Sequence, residues 1–190
     1  MHAKIKAQIL ESAKIKEKIA NNCIDDIISA ASIMIFCIKN NKKILWCGNG
    51  GSAADAQHLS TELMGGMSDH DRKPIPSIAL TTDSSFLTAW ANDTDFESIF
   101  SRQVQGLGQD GDVLIGISTS GNSENVFSAI KQAKFKGLKT ILLTGETAGK
   151  MNNISDVTIK IPSNDTQRIQ EAHIMVGQIL CGLLEEELLK

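Results

Sequence analysis

The sequence is poor in the features that mark secreted and membrane-bound proteins. Its four cysteines, Cys23, Cys37, Cys47 and Cys181, form no Cys-x-x-Cys pair and stand in apolar surroundings, so we expect buried free thiols and no disulfide. No stretch approaches the roughly 20 apolar residues of a membrane span, and the polar, lysine-rich N-terminus does not fit a signal peptide. These absences predict a cytoplasmic protein that does not bind a membrane.

An excess of positive charge is also missing. The chain of 190 residues has 19 basic and 22 acidic side chains, which gives a formal net charge of −3. A broad basic surface dominates affinity for nucleic acid, so we expect no nucleic-acid partner. The length suits one domain, and a small molecule or a protein is the expected partner.

Short apolar runs alternate with helical periodicity along the chain. The runs at residues 44–47, 78–80, 113–117, 140–143 and 157–161 predict five strands. Their alternation with helices predicts an α/β fold, with a doubly wound, flavodoxin-like parallel sheet of five strands flanked by helices. We treat 1–190 as a single domain, with a helical extension at 1–40 and an α/β core at 41–190.

The extension has a helical pattern that breaks at Asn21 and Asn22. Its apolar residues are more numerous than one face of a small domain needs. We interpret the helix pair as an oligomer contact, with ordinary core packing as the alternative.

Hydroxyl side chains crowd the loop that follows the run at 113–117. Ser118, Thr119, Ser120 and Ser123 surround Gly121, just where the pattern changes to helical spacing. A helix N-terminus presents unpaired N–H groups and partial positive charge, so this hydroxyl loop predicts an anion site built from neutral donors. The alternative is a helix cap with additional serines.

A glycine-rich loop, residues 48–52, follows the run at 44–47 and precedes a helix. Gly48, Gly50 and Ala53 fit a degenerate dinucleotide fingerprint, but no acidic residue stands at the end of the next strand. No lysine follows the glycines as a phosphate loop of nucleotide-binding proteins requires. Both loops follow the carboxyl ends of strands, where ligands of such sheets bind, so we expect them to meet in one crevice.

Polar residues on two helices are further candidates. His58 and Glu62 are four residues apart and share a helix face, where they can ligate a metal, divide acid and base roles, or simply form a surface hydrogen bond. Gln170, His173 and Gln178 interrupt the apolar final helix. They either bond a neighbouring helix or line a site.

Four motifs occur together and in a characteristic order. They are CGNGGS at 47–52, AQH at 56–58 with EL at 62–63, GISTSGNS at 116–123 and RIQE at 168–171. In this combination the chain resembles the phosphoheptose isomerases, which act on sedoheptulose 7-phosphate and belong to the sugar isomerase (SIS) superfamily. The resemblance covers nearly the whole chain. It implies a homotetramer whose crevices are completed by a neighbouring subunit, which gives the N-terminal helices a role.

The resemblance also implies roles for individual residues. The phosphate is assigned to Ser118, Thr119, Ser120 and Ser123. The rest of the sugar is assigned to Asn49, Gly50, Gly51, Ser52, Glu62, Asn92, Asp93 and Gln170. The implied zinc ligands are His58, Glu62, Gln170 and Gln178. Glu62 is the implied catalytic base, which moves a proton between neighbouring carbons through an enediol.

The chain departs from the family pattern at Gln178, where many members have histidine. An amide cannot exchange a proton near neutral pH, and it is a poorer zinc ligand than imidazole. The second acid or base is therefore open: Glu62 alone, a metal-bound water, or His173.

The expected reaction yields D-glycero-D-manno-heptose 7-phosphate for the heptose of lipopolysaccharide or capsule. The alternative is a non-catalytic tetrameric SIS scaffold that binds a replication-initiation protein.

Overall fold

A parallel five-stranded sheet runs through the centre of the protein, and the computed structural model describes residues 1–189. The strands are β1 (Ile44–Gly48), β2 (Ser77–Ala79), β3 (Val113–Ser118), β4 (Lys139–Thr144) and β5 (Val157–Lys160). The helices are α1 (His2–Asn22), α2 (Ile24–Lys39), α3 (Gly51–Gly65), α4 (Ser84–Asp93), α5 (Ile99–Leu107), α6 (Glu124–Phe135) and α7 (Thr166–Leu188), with a short 3-10 helix at Gly149–Met151.

The strand order confirms the doubly wound prediction. The strands lie in the order β2-β1-β3-β4-β5, and every neighbouring pair is parallel. The chain passes from β1 to β2 at one edge of the sheet, and then from β2 back across β1 to β3 on the other side. The direction in which strands are added therefore reverses between β1 and β3. Ligands of such sheets bind at this reversal, beyond the carboxyl ends of the strands. Gly48 pairs with Ile117 there, which brings the two predicted loops to the same edge.

Two apolar cores cover the two faces of the sheet. Ile44 and Trp46 point into the core formed with α1, α2, α3 and α7, whereas Leu45 and Cys47 point into the core formed with α5 and α6. This alternation explains the continuous apolar strands, because a strand covered on both faces has no solvent side. All four cysteines are buried and unpaired, as expected.

The N-terminal helix pair packs only partly on the sheet. Ile15 and Ile19 of α1 are buried, while Ile5, Ile9 and Leu10 are 54%, 64% and 50% exposed. The two helices meet at Cys23, next to the predicted break. None of the single helices within residues 1–189 is long and apolar enough to cross a bilayer. The pair therefore both completes one core and leaves an apolar surface open.

Asn92 and Asp93 are turn-forming residues, so the sequence predicts that they interrupt a helix running from Ser85 to about Ala91, and this prediction is wrong. Asn92 and Asp93 are the last two residues of α4, and the chain leaves the helix only at Thr94. Thr94 ends the helix because its backbone leaves the helical region, with φ −131° and ψ −91°, and its hydroxyl donates to the Trp90 carbonyl. Asn and Asp have low helix propensity, but a final turn tolerates them.

Candidate active site

The hydroxyl loop connects β3 to α6 and is held rigidly. The hydroxyls of Ser118 and Ser123 are 3.0 Å apart, and the Gly145 N–H donates to the Thr119 carbonyl over 3.0 Å. Gly121 has φ +65°, and a Cβ there would overlap the Ala148 carbonyl. Ser123 occupies the N-cap position, yet its side chain makes no capping bond to α6. The hydroxyls are therefore not used up in capping, which favours the anion site.

The glycine loop joins the hydroxyl loop directly. The side-chain amides of Asn49 and Asn125 exchange two hydrogen bonds of 2.8 Å, which tie the end of β1 to the first turn of α6. Gly50 has φ +55° and leads into α3 at Gly51. A Cβ on Gly51 would lie 2.5 Å from Nε2 of Gln170, so Gln170 is at this edge as well. The predicted convergence of the two loops is confirmed.

His58 and Glu62 form a pair further along α3. His58 Nε2 lies 3.0 Å from Glu62 Oε1, and the two side chains are 47% and 19% exposed. At 1.5 Å per residue, His58 is about 10 Å and Glu62 about 16 Å along the helix axis from Gly51. The pair is therefore displaced from the edge of the sheet that holds both loops.

Helix α7 runs beside α3 and carries the two candidate glutamines at different levels. A Cβ on Gly177 would overlap the Leu59 side chain, and Cys181 Sγ lies 3.8 Å from the Leu59 carbonyl oxygen. Gln178 follows Gly177 and lies level with the His58–Glu62 pair. Gln170 is about 12 Å away along α7. The assignment of these four residues as ligands of one metal stays a prediction.

A metal fits part of this set. His58, Glu62 and Gln178 offer an imidazole nitrogen, a carboxylate and an amide oxygen, which are suitable donors for a divalent ion. Gln170 belongs to the loop edge instead. Within residues 1–189, no three His, Cys, Asp or Glu side chains cluster as a metal centre. The fit therefore depends on the amide of Gln178 and on groups from outside the chain.

Asp55 is a candidate that the sequence reasoning missed. It lies one turn before His58, and its Oδ2 is buried with no hydrogen-bond partner. Burial raises the pKa of Asp55 to about 6, although the nearby His58 lowers it in part. Its spacing of three from His58 was visible in the sequence. Its burial was not.

His173 is enclosed beneath the sheet. It is 0% exposed, and burial lowers its pKa to about 4, although the contact with the Thr144 backbone raises it in part. A neutral, fully enclosed imidazole cannot exchange protons with a substrate in an open crevice. This burial opposes the role of second acid or base that the sequence left open for His173.

An ion pair fixes the end of α3 that carries Glu62. Glu185 of α7 accepts from Arg72 Nε over 2.6 Å and from the N–H groups of Met67 and Ser68 over 2.9 and 2.7 Å. Arg72 also donates to the carbonyl of Glu62 over 2.9 Å. Burial opposes ionisation of Glu185, but these bonds outweigh it and lower the pKa of Glu185 to about 2.

Two predicted sugar contacts make no hydrogen bond to either loop within residues 1–189. Asn92 and Asp93 are exposed at the end of α4, where the Asn92 amide donates to Asp93 over 2.8 Å. None of the side-chain hydrogen bonds of residues 1–189 joins them to either loop. Ser52 is only 4% exposed, so little of its hydroxyl can be reached by a ligand. These assignments stay predictions, as do the other residue roles.

The fold and this edge of the sheet match one class of protein. The SIS-domain family profile matches residues 9–145. The fold and the hydroxyl loop are therefore those of a SIS domain.

The closer comparisons narrow the class. A phosphoheptose isomerase from a Nitratiruptor species is 52% identical over 182 residues, which cover 96% of this chain and 97% of the relative. The phosphoheptose isomerase structure from Neisseria gonorrhoeae is 42% identical with a TM-score of 0.90, covering 96% of this chain and 98% of its own. That from Francisella tularensis is 37% identical with a TM-score of 0.93 and 97% coverage of both chains. The chain belongs to the phosphoheptose isomerase family.

Proposed function

We propose that the protein converts sedoheptulose 7-phosphate to D-glycero-D-manno-heptose 7-phosphate. The observation that carries this proposal is the meeting of two loops at the carboxyl edge of β1 and β3. The hydroxyl loop offers the phosphate a helix N-terminus whose Ser123 side chain does not cap the helix, and the glycine loop offers backbone N–H groups to the sugar oxygens. Family membership and the phosphoheptose isomerase relatives support the choice of sugar.

The reaction requires one proton to move between neighbouring carbons. In the ketose, Glu62 takes a proton from C1, the electrons form a C1–C2 double bond, and the carbonyl electrons move onto O2 to give an enediolate. Glu62 then returns the proton to C2, while the hydroxyl proton of O1 passes to O2, so the carbonyl moves from C2 to C1. A carboxylate beside an imidazole is suited to this shuttle.

We also propose that one active site uses residues of two chains in a homotetramer. The His58–Glu62 pair of a chain is displaced along α3 from that chain's own loops, as described above. The exposed Ile5, Ile9 and Leu10 of α1 and Phe36 of α2, which is 70% exposed, supply apolar surface for such an assembly. A second copy then brings its pair to the crevice.

A divalent metal, zinc by family resemblance, belongs to the same proposal. When bound, it would polarise the carbonyl oxygen and stabilise the negative charge of the enediolate. His58, Glu62 and Gln178 are the residues that would hold the metal. Gln170, which lies at the edge of the crevice, would add a further ligand. Metal content of the purified protein, and unfolding temperature with and without added zinc, test this part separately from activity.

The central experiment is an isomerase assay on sedoheptulose 7-phosphate with the wild type and Glu62→Gln. We expect turnover by the wild type and its loss in the variant, with circular dichroism unchanged. Equal turnover in both removes Glu62 as the base. We place the protein in the cytoplasm, where its product would enter heptose synthesis for lipopolysaccharide or capsule.

Gln178 favours a second candidate, the non-catalytic scaffold. Replacement of a family histidine by an amide weakens both metal binding and proton exchange. The retained pair of Glu62 and His58 opposes this candidate, because a scaffold does not need it. A wild type that forms a tetramer but never isomerises the sugar, even with added metal, would support the scaffold.

A further inference from the structure

A lysine and a glutamate flank the helix end that carries the hydroxyl loop, and the proposed reaction uses neither. Lys150 lies in the 3-10 helix Gly149–Met151, and its ammonium donates to the carboxylate of Glu124 in the first turn of α6. The Lys150 N–H donates to Asn122 Oδ1 over 3.0 Å. The ion pair is thus attached to the loop that is proposed to hold the phosphate.

The backbone around this lysine is held by packing on the hydroxyl loop, while the Lys150 and Glu124 side chains are 37% and 48% exposed. The Met151 N–H donates to the Gly121 carbonyl over 3.2 Å, and a Cβ on Gly149 would overlap Asn122 Oδ1. The segment around Lys150 therefore packs directly on the hydroxyl loop. The Lys150 ammonium also lies 5.2 Å from the centre of the Phe127 ring, which restricts where it can go.

Glu124 creates an electrostatic conflict at this helix end. In the empty protein its carboxylate interacts favourably with the positive end of the helix dipole. A sugar phosphate bound to the same first turn would be repelled by that carboxylate. The hydroxyl loop, residues 118–123, contains no lysine or arginine that could offset the repulsion.

We propose that Lys150 is a positioning residue that cancels the charge of Glu124 beside the bound phosphate, so that a loop of neutral donors can hold a doubly charged anion. Lys150 acts through Glu124 and does not itself contact the phosphate. This inference rests on the phosphate site of the proposed function.

The test compares Lys150→Met, Glu124→Gln and the double variant. For each we would measure Kd for sedoheptulose 7-phosphate by calorimetry, and KM and kcat for its isomerisation. We expect Lys150→Met to raise Kd and KM about 3- to 5-fold with kcat unchanged, because an uncompensated charge lies near the phosphate. Glu124→Gln should not raise Kd, and the double variant should return to within about twofold of the wild type.

Lys131→Met is the matched control. Its ammonium lies 5.4 Å from the same Phe127 ring but two turns further along α6, so its loss should change Kd by less than about twofold. The rise caused by Lys150→Met should also shrink at high ionic strength.

A double variant as weak as Lys150→Met would overturn the inference, since Lys150 would then bind the phosphate itself. An unchanged Kd in Lys150→Met would also overturn it. Calorimetry does not need turnover, so a wild type that binds the sugar phosphate without isomerising it refutes the proposed reaction alone. A wild type that binds no sugar phosphate refutes both.

Discussion

Glu185→Gln removes the charge that holds the Glu62 end of α3 against α7. The Glu185 and Arg72 side chains are only 3% and 4% exposed, so the variant leaves the guanidinium buried without its partner. Breaking a buried ion pair in this way typically costs about 3–5 kcal/mol. The pKa of Glu185 gives a consistent figure. Its fall from 4.5 to about 2 corresponds to at most about 3 kcal/mol of stabilisation by the ionised form.

The lowered pKa of Glu185 also predicts how the stability difference between wild type and variant changes with pH. A carboxyl group whose pKa is lowered by folding contributes its full stabilisation above the unfolded pKa of 4.5, and loses it as pH falls toward the folded pKa of about 2. The free energies of unfolding of wild type and variant should therefore differ by about 3 kcal/mol at pH 7 and approach each other below pH 4.

Urea unfolding at several pH values, at one fixed protein concentration, measures this difference. Glu187→Gln is the control, because Glu187 pairs with Lys39 over 2.7 Å at the surface, where ion pairs contribute less than about 1 kcal/mol. Equal stability of Glu185→Gln and wild type at pH 7 would refute the reasoning. A difference that persists unchanged to pH 2 would show that ionisation of Glu185 is not its source.

Two further predictions concern the crevice. Ser123→Ala removes the hydroxyl 3.0 Å from Ser118 and should raise KM for the sugar phosphate about 10- to 100-fold, as expected for one lost hydrogen bond to a charged group, with the fold unchanged. Steady-state kinetics measure KM, and an unchanged KM would place the phosphate elsewhere. Gln178→His introduces an imidazole level with His58 and Glu62 and should raise zinc affinity by about tenfold or more. Competition with a chromophoric chelator measures the zinc affinity. Equal affinity in the variant and the wild type would mean that position 178 does not ligate the metal.

The fold followed from the sequence because its strands are short and apolar on both faces. Ile44 and Leu45 point to opposite cores, so each strand appears as a continuous run that contrasts with the periodic helices around it. The two loops were predictable for the same reason, since strands of a parallel sheet end at one edge. The helix break was predicted too early, at Asn92, because low helix propensity is only a weak guide to where a helix ends. The structure keeps Asn92 and Asp93 in the last turn of α4, and the helix ends at Thr94.

The contacts that position the site could not be predicted, because they join residues far apart in the chain. Asn49 pairs with Asn125 across 76 positions, and Arg72 pairs with Glu185 across 113 positions. The i,i+4 spacing identified the pair of His58 and Glu62, but not its displacement along α3 from the crevice. Spacing along one helix fixes a shared face, whereas position relative to another loop depends on the packing of the whole fold.

Mixing two impaired variants, and assaying them at a substrate concentration well below KM, tests most directly whether an active site combines the loops of one chain with Glu62 of another. Glu62→Gln and the double variant Ser120→Ala, Ser123→Ala would be unfolded together in equal amounts and refolded, and isomerase activity would be compared with each variant refolded alone. If two chains form each site, random assembly leaves the correct residue from both chains in about one quarter of the sites, so about a quarter of wild-type activity should return. Activity no higher than that of the separate variants would show that each chain carries a whole site and would contradict the account.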